Sequence, residues 1–269
     1  MELQDRICVV TGGAGGIGRA LAQRFAAEGA RAVVVADRDG DGAAATAADI
    51  GDRARAEAAD VSVEDEVKGL VDRTEAEVGP IDLFASNAGI LGYGGIEVDD
   101  RVWERVWSVN VMAHVYAARA LVPRMLGRGG GYLLSTASAA GLLSQPGDAP
   151  YSVTKHAAVA LAEWLAITYG DQGLKVSCLC PMAVDTAMLR GGLGADTPIP
   201  AEAAAGAAAV TGILPPDRVA EVVVEGLRDE RFLILPHPDV ATFERRRAGD
   251  RDRWLAGMRR LTATLGDQG

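Results

Sequence analysis

Tyr151 and Lys155 stand four residues apart in the stretch YSVTK. On a helix, positions i and i+4 share a face, so a phenol and an ammonium would enter the same space. An ammonium near a phenol favours the phenolate and lowers a pKa otherwise near ~10, which makes tyrosine useful as an acid or base at neutral pH. Taken alone, the pair reads more simply as a solvated helix face with an aromatic at its edge. A second stretch adds chemistry of another kind. TGGAGGIG at 11–18 follows an apolar run and opens a helical segment, with Gly12, Gly16 and Gly18 at the turn. The N–H groups and dipole of such a helix start face a pyrophosphate. The next apolar run ends in Asp37, whose carboxylate can accept from the adenosine ribose hydroxyls of NAD and would repel the 2′-phosphate of NADP. NAD(H) is therefore the expected cofactor. Arg38, next in the chain, keeps NADP(H) open, because a guanidinium can turn towards a phosphate.

The elements that must position these groups alternate along the chain. Short β-branched runs at 6–11, 31–36, 81–86, 132–136, 174–180 and 232–235 alternate with helix-period segments at 17–28, 40–50, 63–78, 101–126, 151–170 and 216–228. This pattern predicts a parallel sheet with helices on both faces, an α/β fold of the doubly wound Rossmann type whose ligand lies beyond the carboxyl ends of the strands. One domain over 1–269 is expected, with a core of about 5–235 and a helical tail of about 236–269. Residues 190–212, rich in Gly, Ala and Pro, separate a strand from the next helix by more than the usual connection and read as a lid or as a passive surface loop.

Composition removes other classes. The 269 residues are 49% hydrophobic, enough for a sizeable core, and no apolar run is long enough to span a membrane. The net charge of −10 argues against nucleic acid, and the arginines at 245–260 are interleaved with acidic residues and an apolar stripe of Phe243, Trp254, Leu255, Met258 and Leu261, as in a solvated amphipathic helix. Cys8, Cys178 and Cys180 lie in apolar runs without metal-ligand spacing, so reduced core thiols, no metal and a cytoplasmic location are expected.

Joined to Y-x-x-x-K, the spacing T-G-x-x-x-G-x-G resembles the short-chain dehydrogenase/reductase family, from about residue 5 to about 235. Further family motifs follow in order. The resemblance implies that Gly12, Gly16, Ile17 and Gly18 bind the cofactor together with Asp37, that Asp60 and Val61 meet its adenine end, and that Asn87, Ala88 and Gly89 form the turn after the fourth strand. It places Asn110 on the catalytic helix and Ser138, thirteen positions before Tyr151, as the catalytic serine, ahead of the hydroxyls of Ser135 and Thr136. Pro181, Val184 and Thr186 match the loop after the sixth strand, although Met182 stands where the family usually has glycine. Each also has a plain structural reading: Asp60 as a helix cap, Asn87 as a turn residue, Asn110 bonded to backbone, Ser138 as a structural hydroxyl.

On this reading Tyr151 carries the proton, Lys155 lowers the tyrosine pKa and binds the nicotinamide ribose, Ser138 holds the substrate oxygen, and Asn110 holds a water that links Lys155 to solvent. Apolar pocket edges at 90–96, 139–148 and 181–189 suit a hydrophobic secondary alcohol or ketone, with Arg190 as the obvious cation and His156 as a structural residue. Alternatives are an NADPH-linked 3-oxoacyl-thioester reductase and a non-catalytic nucleotide-binding scaffold. The family implies a homotetramer, or a dimer, packed through 101–126 and 151–170.

Overall fold

The computed structural model describes residues 1–193 and 212–266. Seven parallel strands form one sheet in the order β3-β2-β1-β4-β5-β6-β7, with β1 at Ile7–Thr11, β2 at Ala32–Asp37, β3 at Ala54–Ala58, β4 at Leu83–Ser86, β5 at Gly131–Thr136, β6 at Leu174–Leu179 and β7 at Leu233–Ile234. The Rossmann-type, doubly wound arrangement is as the alternation requires. Chain order reverses between β1 and β4, and a crevice opens there beyond the strand ends. Register lines those ends up: Thr11 pairs with Ala36, Ser86 with Ser135 and Thr136 with Leu179, so the loops that follow all leave the same edge.

Both faces of the sheet are covered, which explains the near-continuous apolar strands. Successive strand residues point to opposite faces, and Val9 joins one core while Cys8 and Val10 join the other. The first core packs α3 (Glu64–Glu77), α5 (Ala113–Gly127) and α7 (Ala149–Tyr169) through residues such as Leu70, Leu121 and Ala162. The second packs α1 (Gly16–Ala27), α2 (Gly40–Ile50) and α9 (Pro216–Arg228) through Phe25, Ala43 and Val223. Each fully buried Leu, Val or Phe side chain contributes about 1.5–3 kcal/mol, so the two layers hold the strand ends rigid.

The structure departs from the sequence expectation in three places. The strand Ala54–Ala58 has no apolar run to announce it: ARAEA lies at the sheet edge, where its side chains are mostly exposed. The helix expected over 101–126 is α4 (Asp100–Trp107), a π-helical turn over Ser108–Met112, and α5. The tail is two helices, α10 (Asp239–Gly249) and α11 (Arg251–Gly266), broken where Asp250 takes extended backbone. The remaining α-helices among the described residues are α6 (Ala140–Leu143) and α8 (Ala187–Leu193), and a 3-10 turn spans Gly170–Gln172. Most of the segment expected to act as a lid, 194–211, lies outside the described residues. Among the described residues no helix is long and apolar enough to cross a membrane, and no cluster of metal-ligating side chains occurs.

Candidate active site

A cavity of about 770 Å³ runs along the carboxyl edge of the sheet, from the turn after β1 to the C-terminal helices. Its first end is made by the glycine turn. Gly12 has φ +68°, and a Cβ there would lie 2.9 Å from Ala88 Cα; a Cβ on Gly18 would meet the Gly12 carbonyl oxygen at 2.0 Å. The turn and the first turn of α1 are closed around one another, and only glycine fits. At Gly15, which caps α1, a Cβ would meet nothing within 4 Å, no side chain caps the helix, and no acidic residue lies in its first turn. The free N–H groups of that turn therefore open on space shaped for an anion, and a pyrophosphate fits them.

Asp37 lines the same end. One carboxylate oxygen accepts from the Ala14 N–H at 3.1 Å and the other from the Asp39 N–H at 3.0 Å, so the group is fixed with acceptor capacity to spare. Asn87, Ala88 and Gly89 form the floor. Thr11 Oγ1 accepts from the N–H groups of Asn87 (2.9 Å) and Ala88 (3.2 Å), while Asn87 Nδ2 donates to the Thr11 carbonyl at 3.1 Å. Thr136 Oγ1 donates to Asn87 Oδ1 at 3.2 Å, tying β1, β4 and β5 together at their ends. Ile17, Pro181, Val184 and Thr186 also line the cavity. Asp60 and Val61 do not: the Asp60 carboxylate accepts from the Ser62 N–H (2.9 Å) and hydroxyl (2.7 Å). These bonds hold its pKa below the usual carboxylate range. Asp60 does not cap α3 either, whose first residue is preceded by Val63 with no side-chain cap.

The middle of the cavity is built on α7. Its inward face carries Tyr151, Thr154, Lys155, Ala158, Ala162 and Leu165, a helical stripe that buries phenol and ammonium together. Asp148 caps this helix, accepting from the Tyr151 N–H at 2.9 Å, and its second oxygen accepts from the Gly92 N–H at 3.0 Å. Sequence reasoning passed over Asp148, although an acidic cap followed by Pro150 in the first turn is a readable start signal. Ser138, just beyond β5, lines the cavity with Tyr151; its hydroxyl accepts from the Ala140 N–H at 3.1 Å and donates to the Pro181 carbonyl at 3.5 Å. Lys155 Nζ donates to the Thr136 carbonyl at 3.0 Å and lies 5.5 Å from the centre of the Tyr151 ring.

The electrostatics correct one expectation. Burial pushes the Tyr151 phenol up to about 12; the Ser138 hydroxyl works against this, and the Asp148 carboxylate reinforces it. Lys155 does not bring it below its ordinary value. Burial instead draws Lys155 down to about 8, so it is the ammonium that exchanges its proton close to neutrality.

Asn110 sits in the π turn and is fully buried. Its side chain is committed: Oδ1 accepts from the Ile90 N–H at 2.9 Å, and Nδ2 donates to the Ile90 carbonyl (2.9 Å) and to Thr154 Oγ1 (3.1 Å). It splices the loop after β4 to α7, and it does not itself line the cavity. One turn on, His114 is buried with neither ring nitrogen partnered within the protein. Desolvation, assisted by the Lys155 charge, pulls its pKa to about 3. His156 points elsewhere, Nδ1 contacting the Ser152 carbonyl at 2.9 Å and Nε2 the Arg247 guanidinium at 3.4 Å, as expected of a structural residue.

The far end of the cavity is apolar. Leu143, Met182, Met188 and Leu189 are joined there by Phe243, Trp254, Met258 and Leu261 of the tail. The stripe that reads as one side of a solvated helix is thus a wall of the site. Arg190 is not a lining residue and pairs with Asp185 at 3.3 Å; Arg246 lines the cavity in its stead. A chamber with an anion-binding turn at one end, a buried hydroxyl–phenol–ammonium set in the middle and an apolar end can hold a dinucleotide against an uncharged carbon skeleton and move a proton at the contact.

Residues 6–192 match the family model described as short chain dehydrogenase. The chain belongs to the short-chain dehydrogenase family. As a member, it is an oxidoreductase that interconverts alcohol and carbonyl groups with a nicotinamide cofactor. Among relatives of this short-chain dehydrogenase, 1-deoxy-11-beta-hydroxypentalenate dehydrogenase of Streptomyces exfoliatus is 39% identical over 255 residues, covering 89% of this chain and 86% of that protein. The 3beta-hydroxysteroid dehydrogenase 2 of Eggerthella lenta is 37% identical over 185 residues, covering 66% of this chain and 71% of that protein. A crystal structure of a short chain dehydrogenase/reductase from Burkholderia phymatum in complex with NAD superposes with a TM-score of 0.85 at 30% identity, covering 94% of this chain and 96% of that one.

Proposed function

We propose that the protein is an NAD-dependent dehydrogenase that interconverts a bulky, apolar secondary alcohol and its ketone, with Tyr151 as the proton carrier. The observation that carries this reading is the gathering of Ser138, Tyr151 and Lys155 on one wall of a cavity whose first end fits a dinucleotide and whose far end is apolar. Bound NAD supplies the hydride acceptor. Tyr151 takes the hydroxyl proton of the alcohol, and Ser138 donates to the same oxygen as charge develops on it. Lys155 holds positive charge beside the phenol and passes the proton outward, a task suited to an amine held near neutrality in its titration. Asn110 acts as a positioning residue, fixing the Ile90 backbone and α7 through its side chain. A preference for NAD over NADP is supported by Asp37, fixed at the end of β2 with Arg38 exposed beside it.

The relatives named for a hydroxypentalenate and a hydroxysteroid support a substrate whose hydroxyl sits on a fused-ring skeleton. Free buried thiols at Cys8, Cys178 and Cys180 support a reducing, cytoplasmic location. We read the assembly as a homotetramer or a dimer.

The test is NADH formation across a panel of alicyclic and steroidal secondary alcohols with the wild type and Tyr151→Phe. Turnover should fall by at least about a thousandfold in the variant, with NADH affinity nearly retained because the ring still packs. Near-normal turnover in Tyr151→Phe would remove the tyrosine from the mechanism.

A further inference from the structure

The substrate end of the cavity is mostly apolar, with Ser144, Gln145 and Thr262 as neutral polar residues and one cation among its lining. Among the described residues, two cations line the whole cavity, Lys155 and Arg246. Lys155 is buried and bonded to the Thr136 carbonyl. Arg246 is exposed on α10, one turn after Phe243, and no ion pair or hydrogen bond engages its guanidinium among the described residues. Its neighbours are occupied: Arg245 donates to Thr242 at 3.2 Å and Arg247 contacts His156. The two carboxylates on the described wall pair with neither cation: Asp37 and Asp148 each hold two backbone N–H groups.

The helix that carries Arg246 is fixed against the site. Phe243 packs on the core, α10 touches α6 just after Ser138, and the Arg247–His156 contact ties it to the catalytic helix. An unpaired guanidinium held at the rim of an apolar chamber is poorly matched to a neutral ligand, which would cover it without replacing its water. A carboxylate matches it, through two parallel charge-assisted hydrogen bonds.

We propose that Arg246 anchors a carboxylate carried by the substrate, so that the substrate class is a bulky apolar hydroxy acid and the matching oxo acid. This rests on the alcohol-oxidising reading of the same cavity. The carboxylate takes no part in the reaction: hydride still passes from the carbinol carbon to NAD and the hydroxyl proton to Tyr151. Arg246 sets which end of the skeleton enters first and presents the far hydroxyl to Ser138 and Tyr151.

The test uses matched pairs, hydroxylated cholanoic acids and hydroxylated decalin carboxylic acids, each with its methyl ester. Two readouts are taken on the wild type, Arg246→Gln and Arg246→Lys: kcat/KM for NADH formation, and quenching of tryptophan fluorescence when each ligand binds the protein–NADH complex. The wild type should favour acid over ester by about tenfold or more in both, Arg246→Gln should lose that ratio, and Arg246→Lys should recover part of it. Equal handling of acid and ester by the wild type, or an acid-to-ester ratio unmoved in Arg246→Gln, would overturn the anchor. If no pair is turned over, the alcohol-oxidising reading fails, and the fluorescence ratio still decides the anchor.

Discussion

At the scale of single residues, the site is governed by what burial does to ionisable groups. We propose Asp37 as the discriminating group for the cofactor: both its oxygens are fixed by backbone donors and each keeps a lone pair for a ribose hydroxyl. Removing the carboxylate in Asp37→Ala should raise the kcat/KM ratio of NADP to NAD by about tenfold or more, since the charge that opposes a 2′-phosphate is gone. A wild type that already prefers NADP would contradict the assignment. His114 makes a prediction about pH. Its pKa falls from 6.5 to about 3 on folding, so between those values the unfolded chain binds a proton that the folded chain refuses. Stability then rises with pH across that window, and going from pH 6.5 down to 5 removes about 2 kcal/mol through this group. Denaturant titrations of the wild type and His114→Val should show a shallower pH slope in the variant. Identical slopes would mean that the imidazole titrates in the fold as it does in the unfolded chain.

At the scale of elements, the start of α7 carries both structure and chemistry. Asp148 satisfies the Tyr151 N–H and reaches across to the Gly92 N–H, so one carboxylate orders the catalytic helix and the loop after β4. Asp148→Ala leaves both donors without a partner and should cost about 2 kcal/mol of stability. Because the loop at 90–95 borders the substrate side, KM for the alcohol should rise more than Kd for NADH. An equal loss of both affinities would mean that Asp148 supports the site only through global stability. The π turn at Ser108–Met112 is the counterpart on the neighbouring helix: it brings Asn110 to bear on Ile90 and Thr154 together.

At the scale of the whole molecule, the outer face of α7 asks for a partner. Val153, Trp164 and Ile167 are 48%, 54% and 84% exposed, and their spacing puts them on one side of the helix opposite the catalytic stripe. We propose that these three large apolar side chains, aligned on the longest described helix, form the face through which a second copy packs in the proposed tetramer or dimer. Ile167→Glu should shift the protein to a smaller species in sedimentation or light scattering, with the near-ultraviolet dichroism of the fold retained. A wild type that runs as a monomer would show that the stripe serves another purpose.

The sequence by itself determined the layered fold, the glycine turn and the sharing of one helix face by Tyr151 and Lys155, because each follows from local rules: apolar strands covered on two faces, a turn that tolerates only glycine, a spacing of four on one helix face. Ser138 was reached through the family resemblance. The edge strand Ala54–Ala58 was illegible because an exposed strand carries no apolar pattern. Tertiary structure alone decided the rest. It set the direction of the Tyr151 pKa, since burial by distant segments raises it. It also brought Phe243, Arg246 and Trp254 about a hundred residues back in sequence, to close the pocket beside Tyr151. Apolar side chains at helical spacing read the same whether they face a core or a ligand, and only the packing of α10 against α6 and α7 tells the two apart.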